Sequence, residues 1–193
     1  MWWSGSIRKF KMQNEKRKII LFVCLVIAAV SERLWFDLGP NIELVMTSSV
    51  LASMYLGRRF GIAVALLSLM ISDFFLGNTL IMIFTWSGFA LIAWGGRWLK
   101  GKNGLFGAGY GLVGALFFYF YTNFGVWLIG NLYPHTFSGL IQSYVMGLPF
   151  LRLHAVGSVL LLSGSMVLIE IVNKLISLKS SGTRCDSGTV PQL

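Results

Sequence analysis

The sequence predicts an all-α membrane protein: one polytopic bundle of about six transmembrane helices with both chain ends in the cytoplasm. Three observations predict it. Of 193 residues, 55% are hydrophobic and only 12% charged, against about 25% charge in an ordinary soluble domain. Mean hydropathy is +0.72. The apolar residues also fall into runs near the ~20 residues that cross a hydrocarbon core. The length fits one domain. A net charge of +9 invites a nucleic-acid reading, but the basic residues stand at the ends of apolar runs, where a membrane protein needs them.

A basic head over residues 1–18 carries Arg8, Lys9, Lys11, Lys16, Arg17 and Lys18. Six apolar segments follow, at 19–36, 42–57, 60–76, 79–97, 104–130 and 153–173. Within lipid the backbone must satisfy its own hydrogen bonds, so each is expected to be a helix. The second and third are short, which predicts a thinned or tightly packed region. Pro40, Arg58–Arg59, Gly77–Asn78 and Gly101–Asn103 mark the breaks. The connection 131–152 puts Leu140, Ile141, Tyr144 and Val145 on one helical face, with Gln142 and Ser143 on the other. It reads as a short interfacial or re-entrant helix bounded by Pro134 and Pro149. The transmembrane domain thus covers 19–175, and 176–193 is read as a polar, disordered cytoplasmic tail.

Charge sets the orientation. With the N-terminus inside, the head, Arg58, Arg59, Arg97, Lys100, Lys102, Lys174, Lys179 and Arg184 are all cytoplasmic, and only Arg33 and Arg152 face out. Lys and Arg resist translocation, so this skew predicts a multi-pass membrane protein with both ends on the cytoplasmic side. Residues 16–31 also carry signal-peptide features, ending on Ala29-Val30-Ser31. Cleavage would leave five helices. The run continues through Leu34, Trp35 and Phe36, which favours an uncleaved first helix.

The charges that are not cytoplasmic, Glu32, Arg33, Asp37, Glu43, Asp73 and Arg152, all fall on the outer side. A carboxylate inside a membrane helix costs about 2.5–3.5 kcal/mol on insertion scales and usually faces the bundle interior. Glu43, Asp73, Asn123 and Arg152 lie at one depth, with Trp86 and Tyr121 nearby. They predict an outward-opening pocket in which the polar groups hydrogen-bond a ligand and the two aromatics pack its flat surface. The alternative is an interhelix tie of Asp73 with Arg33 or Arg152, and packing or interface-belt roles for Trp86 and Tyr121. Thr47 lies one turn below Glu43 on the same face.

No metal, cofactor or nucleic-acid site is expected. His135 and His154 lack ligand spacing, and Cys24 and Cys185 are too differently placed to pair. The chain has no Gly-x-Ser-x-Gly, His-Glu-x-x-His or Walker motif. Without a nucleophile-and-base constellation it is not expected to be an enzyme. Small residues recur four apart at Gly107, Gly111 and Ala115, at Gly61 and Ala65, and at Cys24 and Ala28. They predict close helix contacts, or a docking face for a partner.

The stretches Asn41-Ile-Glu-Leu-Val, Tyr55-Leu-Gly-Arg-Arg, Ile71-Ser-Asp-Phe-Phe-Leu-Gly, Thr122-Asn-Phe-Gly-Val-Trp, Tyr133-Pro-His-Thr-Phe-Ser-Gly-Leu and Gly147-Leu-Pro-Phe resemble an uncharacterised family of bacterial six-helix membrane proteins labelled as transport proteins. More distantly, the layout of residues 19–173 is similar to the substrate-capture (S) components of energy-coupling factor transporters. That resemblance implies a subunit binding a vitamin-like nutrient from outside and docking on a coupling protein driven by ATPase subunits. Where S components carry alanines four apart for docking, this chain has Cys24 and Ala28. The competing expectation is a structural or assembly protein of the envelope, without a ligand.

Overall fold

A computed structural model describes residues 3–36, 43–77 and 79–185, with side chains described between residues 13 and 178 of those ranges. Asp37, Pro40, Asn41 and Asn78 of the sequence reading lie outside the described residues, as does 186–193. The described chain contains six α-helices: α1 (Trp3–Ser31), α2 (Leu44–Tyr55), α3 (Arg58–Leu76), α4 (Met82–Gly95), α5 (Gly104–Ile129) and α6 (Phe137–Cys185). A π-helical turn, Glu32–Phe36, extends α1, and a 3₁₀ turn, Gly96–Leu99, extends α4.

Among the described residues, four stretches are long and apolar enough to cross a membrane: Gln13–Phe36, Arg58–Leu76, Gly104–Ile129 and Phe137–Leu178. Their outer faces are apolar as well, with Phe74 83%, Leu105 78% and Val113 64% exposed. Apolar surface on this scale does not suit water. It is the build of a membrane protein.

α2 is the centre of the bundle. Every residue from Val45 to Met54 is buried, Thr47, Ser48, Ser49 and Ser53 included. α1, α3, α4 and α6 pack around it. At about 1.5 Å per residue its 12 residues span ~18 Å, well short of the ~30 Å hydrocarbon core. Its two ends are therefore finished by charged groups from neighbouring helices. Leu44 N–H at its start donates to Glu32 Oε2 at 3.0 Å. The Met54 carbonyl at its end accepts from Arg97 Nη1 at 2.8 Å. A carboxylate at the N-terminus and a cation at the C-terminus also match the helix dipole.

Small residues set the helix spacings. A Cβ on Gly61 would stand 1.8 Å from Ser53 Oγ and 2.7 Å from the Ser49 carbonyl, so α3 lies directly on α2. On α5, a Cβ on Gly111 would meet the Ser158 carbonyl oxygen of α6 at 2.8 Å. Gly107 faces Met166 and Ser163 in the same way. These stripes are internal contacts. Cys24, by contrast, is a free, exposed residue on α1. Gly57 holds a φ of 117° between α2 and α3, which lets two residues make that connection.

The structure corrects the expected interfacial helix. Residues 137–152 are not a separate element, and α6 runs through Pro149 without a break. Gly139, Ser143, Gly147, His154 and Ser158 are all buried, so one small-residue stripe continues past the proline. Pro149 itself is exposed on the far side. The missing proline N–H costs one helical bond, while the continuous seam with α5 holds both halves in line. Ser143, placed on the polar face by the sequence, is buried and donates to the Asn123 carbonyl at 2.9 Å. The second segment is also shorter than expected, Leu44–Tyr55 rather than 42–57. The basic head is continuous with the first helix, and the last helix extends to Cys185.

Candidate functional site

Arg33 organises the polar end of the bundle. The π turn after α1 carries it towards α2 and α3. Its Nη1 lies 3.0 Å from Glu43 Oε1 and its Nη2 lies 2.9 Å from Asp73 Oδ1. Its Nε donates to Ser72 Oγ at 2.8 Å. The second oxygen of Asp73 accepts from Trp86 Nε1 of α4 at 2.8 Å. One guanidinium thus ties the end of α1 to α2 and α3, and Asp73 extends the tie to α4. The side chains of Arg33 and Asp73 are 14% and 11% exposed, so the network is withdrawn from solvent and its geometry is charge-assisted throughout.

Glu43 is the edge of this network. It occupies the N-cap position of α2 but makes no capping bond with its side chain. That function falls to Glu32, which leaves the Glu43 carboxylate free to turn to Arg33. Only one of its oxygens is used there. Oε2 is buried and has no hydrogen-bond partner among the described residues.

Beside Glu43 lies a cavity of about 70 Å³ between α2, α5 and α6. Asn123, Thr122 and His154 give it polar walls, and Phe118, Tyr119 and Phe150 give it aromatic ones. The His154 ring stacks on Phe118 at 5.2 Å. Asn123 is fixed by its Nδ2, which donates to the Tyr119 carbonyl at 2.8 Å, and by close contact with Gly147, where a Cβ would stand 2.6 Å from its Oδ1. Tyr119 in turn donates to the Tyr144 carbonyl of α6.

The six residues singled out by sequence divide into three groups. Glu43, Asp73 and Trp86 are brought together around Arg33. Asn123 joins Glu43 across the cavity. Arg152 and Tyr121 are placed elsewhere. Arg152 is exposed on α6, and among the described residues no hydrogen bond or ion pair joins it to the cluster. Tyr121 sits in the α4–α5 seam, its hydroxyl 3.1 Å from Ser87 Oγ and its ring stacked on Phe117 at 5.4 Å. Of the two ties weighed for Asp73, the structure forms the one with Arg33.

Sequence reasoning missed Glu32 as the cap of α2, Ser72 as a ligand of Arg33, and His154 as a cavity wall. An acidic–basic pair at the end of the first segment was the available signal for the first of these. Among the described residues, no three His, Cys, Asp or Glu side chains gather as a metal site.

No curated protein and no solved structure matches the chain. A family model does match, over residues 13–178, which include all six helices in whole or part and every residue of the polar cluster. The chain belongs to this family of unknown function, DUF6580.

Proposed function

We propose that this chain is a six-span protein of the bacterial cytoplasmic membrane, with both termini cytoplasmic, that captures a small polar ligand at the acidic end of its bundle. In this reading it is the binding subunit of an uptake system energised by a separate partner, as the likeness to S components implies. The observation that carries the reading is Glu43. A half-buried carboxylate with one oxygen on Arg33 and the other buried and unpartnered among the described residues, lining a cavity, is an acceptor held ready for a donor.

The cavity bounds the mechanism. At about 70 Å³ it is far below the ~300–1,000 Å³ of ordinary ligand pockets. A vitamin-sized ligand needs α6 to move away from α5. The cavity walls Phe150 and Leu151 directly follow Pro149, which donates no hydrogen bond to the Val145 carbonyl. That is the weakest place in α6 and the natural hinge.

A native mass spectrum of the protein in mild detergent tests this. The expected result is a reproducible extra mass that disappears in Glu43→Gln while the melting temperature is kept, because glutamine retains an oxygen for Arg33. An adduct equally present in Glu43→Gln sinks the assignment.

A second reading rests on Asp73, whose two oxygens are held by Arg33 and Trp86. That favours Asp73 as an interhelix tie rather than a ligand contact, and with it a structural or assembly protein. This reading expects no adduct, and full tolerance of Glu43→Gln.

A further inference from the structure

The opposite end of the bundle carries a second feature, independent of the Glu43 cavity. Two adjoining apolar hollows run along the outer face of the α4–α5 seam, of about 380 and 360 Å³. Tyr110 and Val113 line both, so they form one groove. Its floor is fixed, because Tyr110 donates its hydroxyl to the Ile92 carbonyl and lies against Gly95. Its depth comes from Gly109, where an added Cβ would meet nothing within 4 Å. The lining reaches from Leu105 to Phe117. At ~1.5 Å per residue that is about 18 Å, slightly more than one leaflet of a ~30 Å hydrocarbon core.

The groove is topped by cations. Lys102 Nζ rests 5.6 Å from the Trp98 ring and 5.0 Å from the Phe106 ring, both walls of the first hollow. Arg58 Cζ lies 4.8 Å over the ring of Trp94, a wall of the second. Among the described residues, no acidic side chain lines either hollow. An apolar channel one leaflet long, ending in two cations held on aromatic rings, matches one chemistry: a single acyl chain joined to a negatively charged headgroup.

We propose that the α4–α5 groove is a specific site for an anionic phospholipid, one acyl chain lying over Tyr110 and Gly109 and the phosphate taken by Lys102 and Arg58. The lipid would bind as a fixed part of the bundle, sealing the seam at the basic end.

The test uses the full-length protein in mild detergent, with phosphatidylglycerol and phosphatidylcholine of identical acyl chains added at equal concentration. Lipid retention is read by native mass spectrometry. Wild type should retain phosphatidylglycerol preferentially, by about fivefold for each cation engaged. Lys102→Gln with Arg58→Gln should abolish the preference while leaving weak retention of both lipids. Gly109→Leu fills the groove where there is open space, and should remove retention of both. Helical circular dichroism and melting temperature of each variant show that it is folded. Equal retention of the two lipids by wild type overturns the proposal, as expected if the groove instead seats a helix of a partner protein. Undiminished retention in folded Gly109→Leu overturns it as well.

Discussion

Arg33 holds Glu43, Asp73 and Ser72 with three different nitrogens, so its removal strands more than one group. In Arg33→Met, the largely buried carboxylate of Asp73 and the half-buried one of Glu43 lose their counter-charge together. Breaking a buried pair from one side costs about 3–5 kcal/mol, and a loss of stability of that order, read by thermal unfolding in detergent, is the expected outcome. Asp73→Asn should cost less, about 1–3 kcal/mol, because the amide keeps one oxygen for either Arg33 or Trp86. If Asp73→Asn proves as damaging as Arg33→Met, charge rather than hydrogen bonding holds the tie. The two carboxylates were legible in the sequence because charge inside an apolar run is conspicuous. Arg33 was legible only as one of two possible partners for Asp73, not as the hub that also holds Glu43 and Ser72, because a cation at the end of a run reads as a topology signal, and its partners lie 10 and about 40 residues away.

Among the elements, α5 and α6 make a sensitive contact, since glycine lets backbone meet backbone. Gly111→Ala would drive a Cβ to 2.8 Å from the Ser158 carbonyl oxygen. Backbone cannot rotate away as a side chain can, so the helices must separate, at about 1–3 kcal/mol. Gly109→Ala, two residues earlier on the open face, should be neutral or stabilising by up to ~1 kcal/mol through helix propensity. Thermal unfolding of the two variants side by side checks this, and equal effects would mean that the seam is looser than its geometry. The glycine spacing was readable in the sequence, though not which helix it faces. The fate of 137–152 was hidden for a related reason. Pro149 and the apolar residues around it suggested a break, while the stripe that keeps α6 whole is made of Gly139, Ser143 and Gly147, which carry almost no hydropathy signal.

At the scale of the whole molecule, the question is how many helices cross. Among the described residues only four are long and apolar enough by themselves, and α2 is a 12-residue helix enclosed by protein. Two arrangements follow. If α2 and α4 cross with the rest, Arg58, Arg59, Arg97, Lys100 and Lys102 all lie in the cytoplasm. If they do not, and the N-terminus is still inside, Arg58 and Arg59 are left outside. The positive-inside rule opposes the second, as does the capping of α2 by Glu32 at one end and Arg97 at the other, which sets the helix along the bundle between its acidic and basic ends. Single cysteines decide the matter, introduced at Arg59, Leu80, Lys100 and Leu132, all exposed between helices or at their first turn, in a chain freed of Cys24 and Cys185. With a membrane-impermeant thiol reagent on intact cells, six crossings predict labelling at Leu80→Cys and Leu132→Cys only. Arg59→Cys and Lys100→Cys should react only once the membrane is opened. Four crossings exchange the first two sites and leave the others unchanged, so labelling of Arg59→Cys in intact cells would refute the six-span bundle while preserving its orientation.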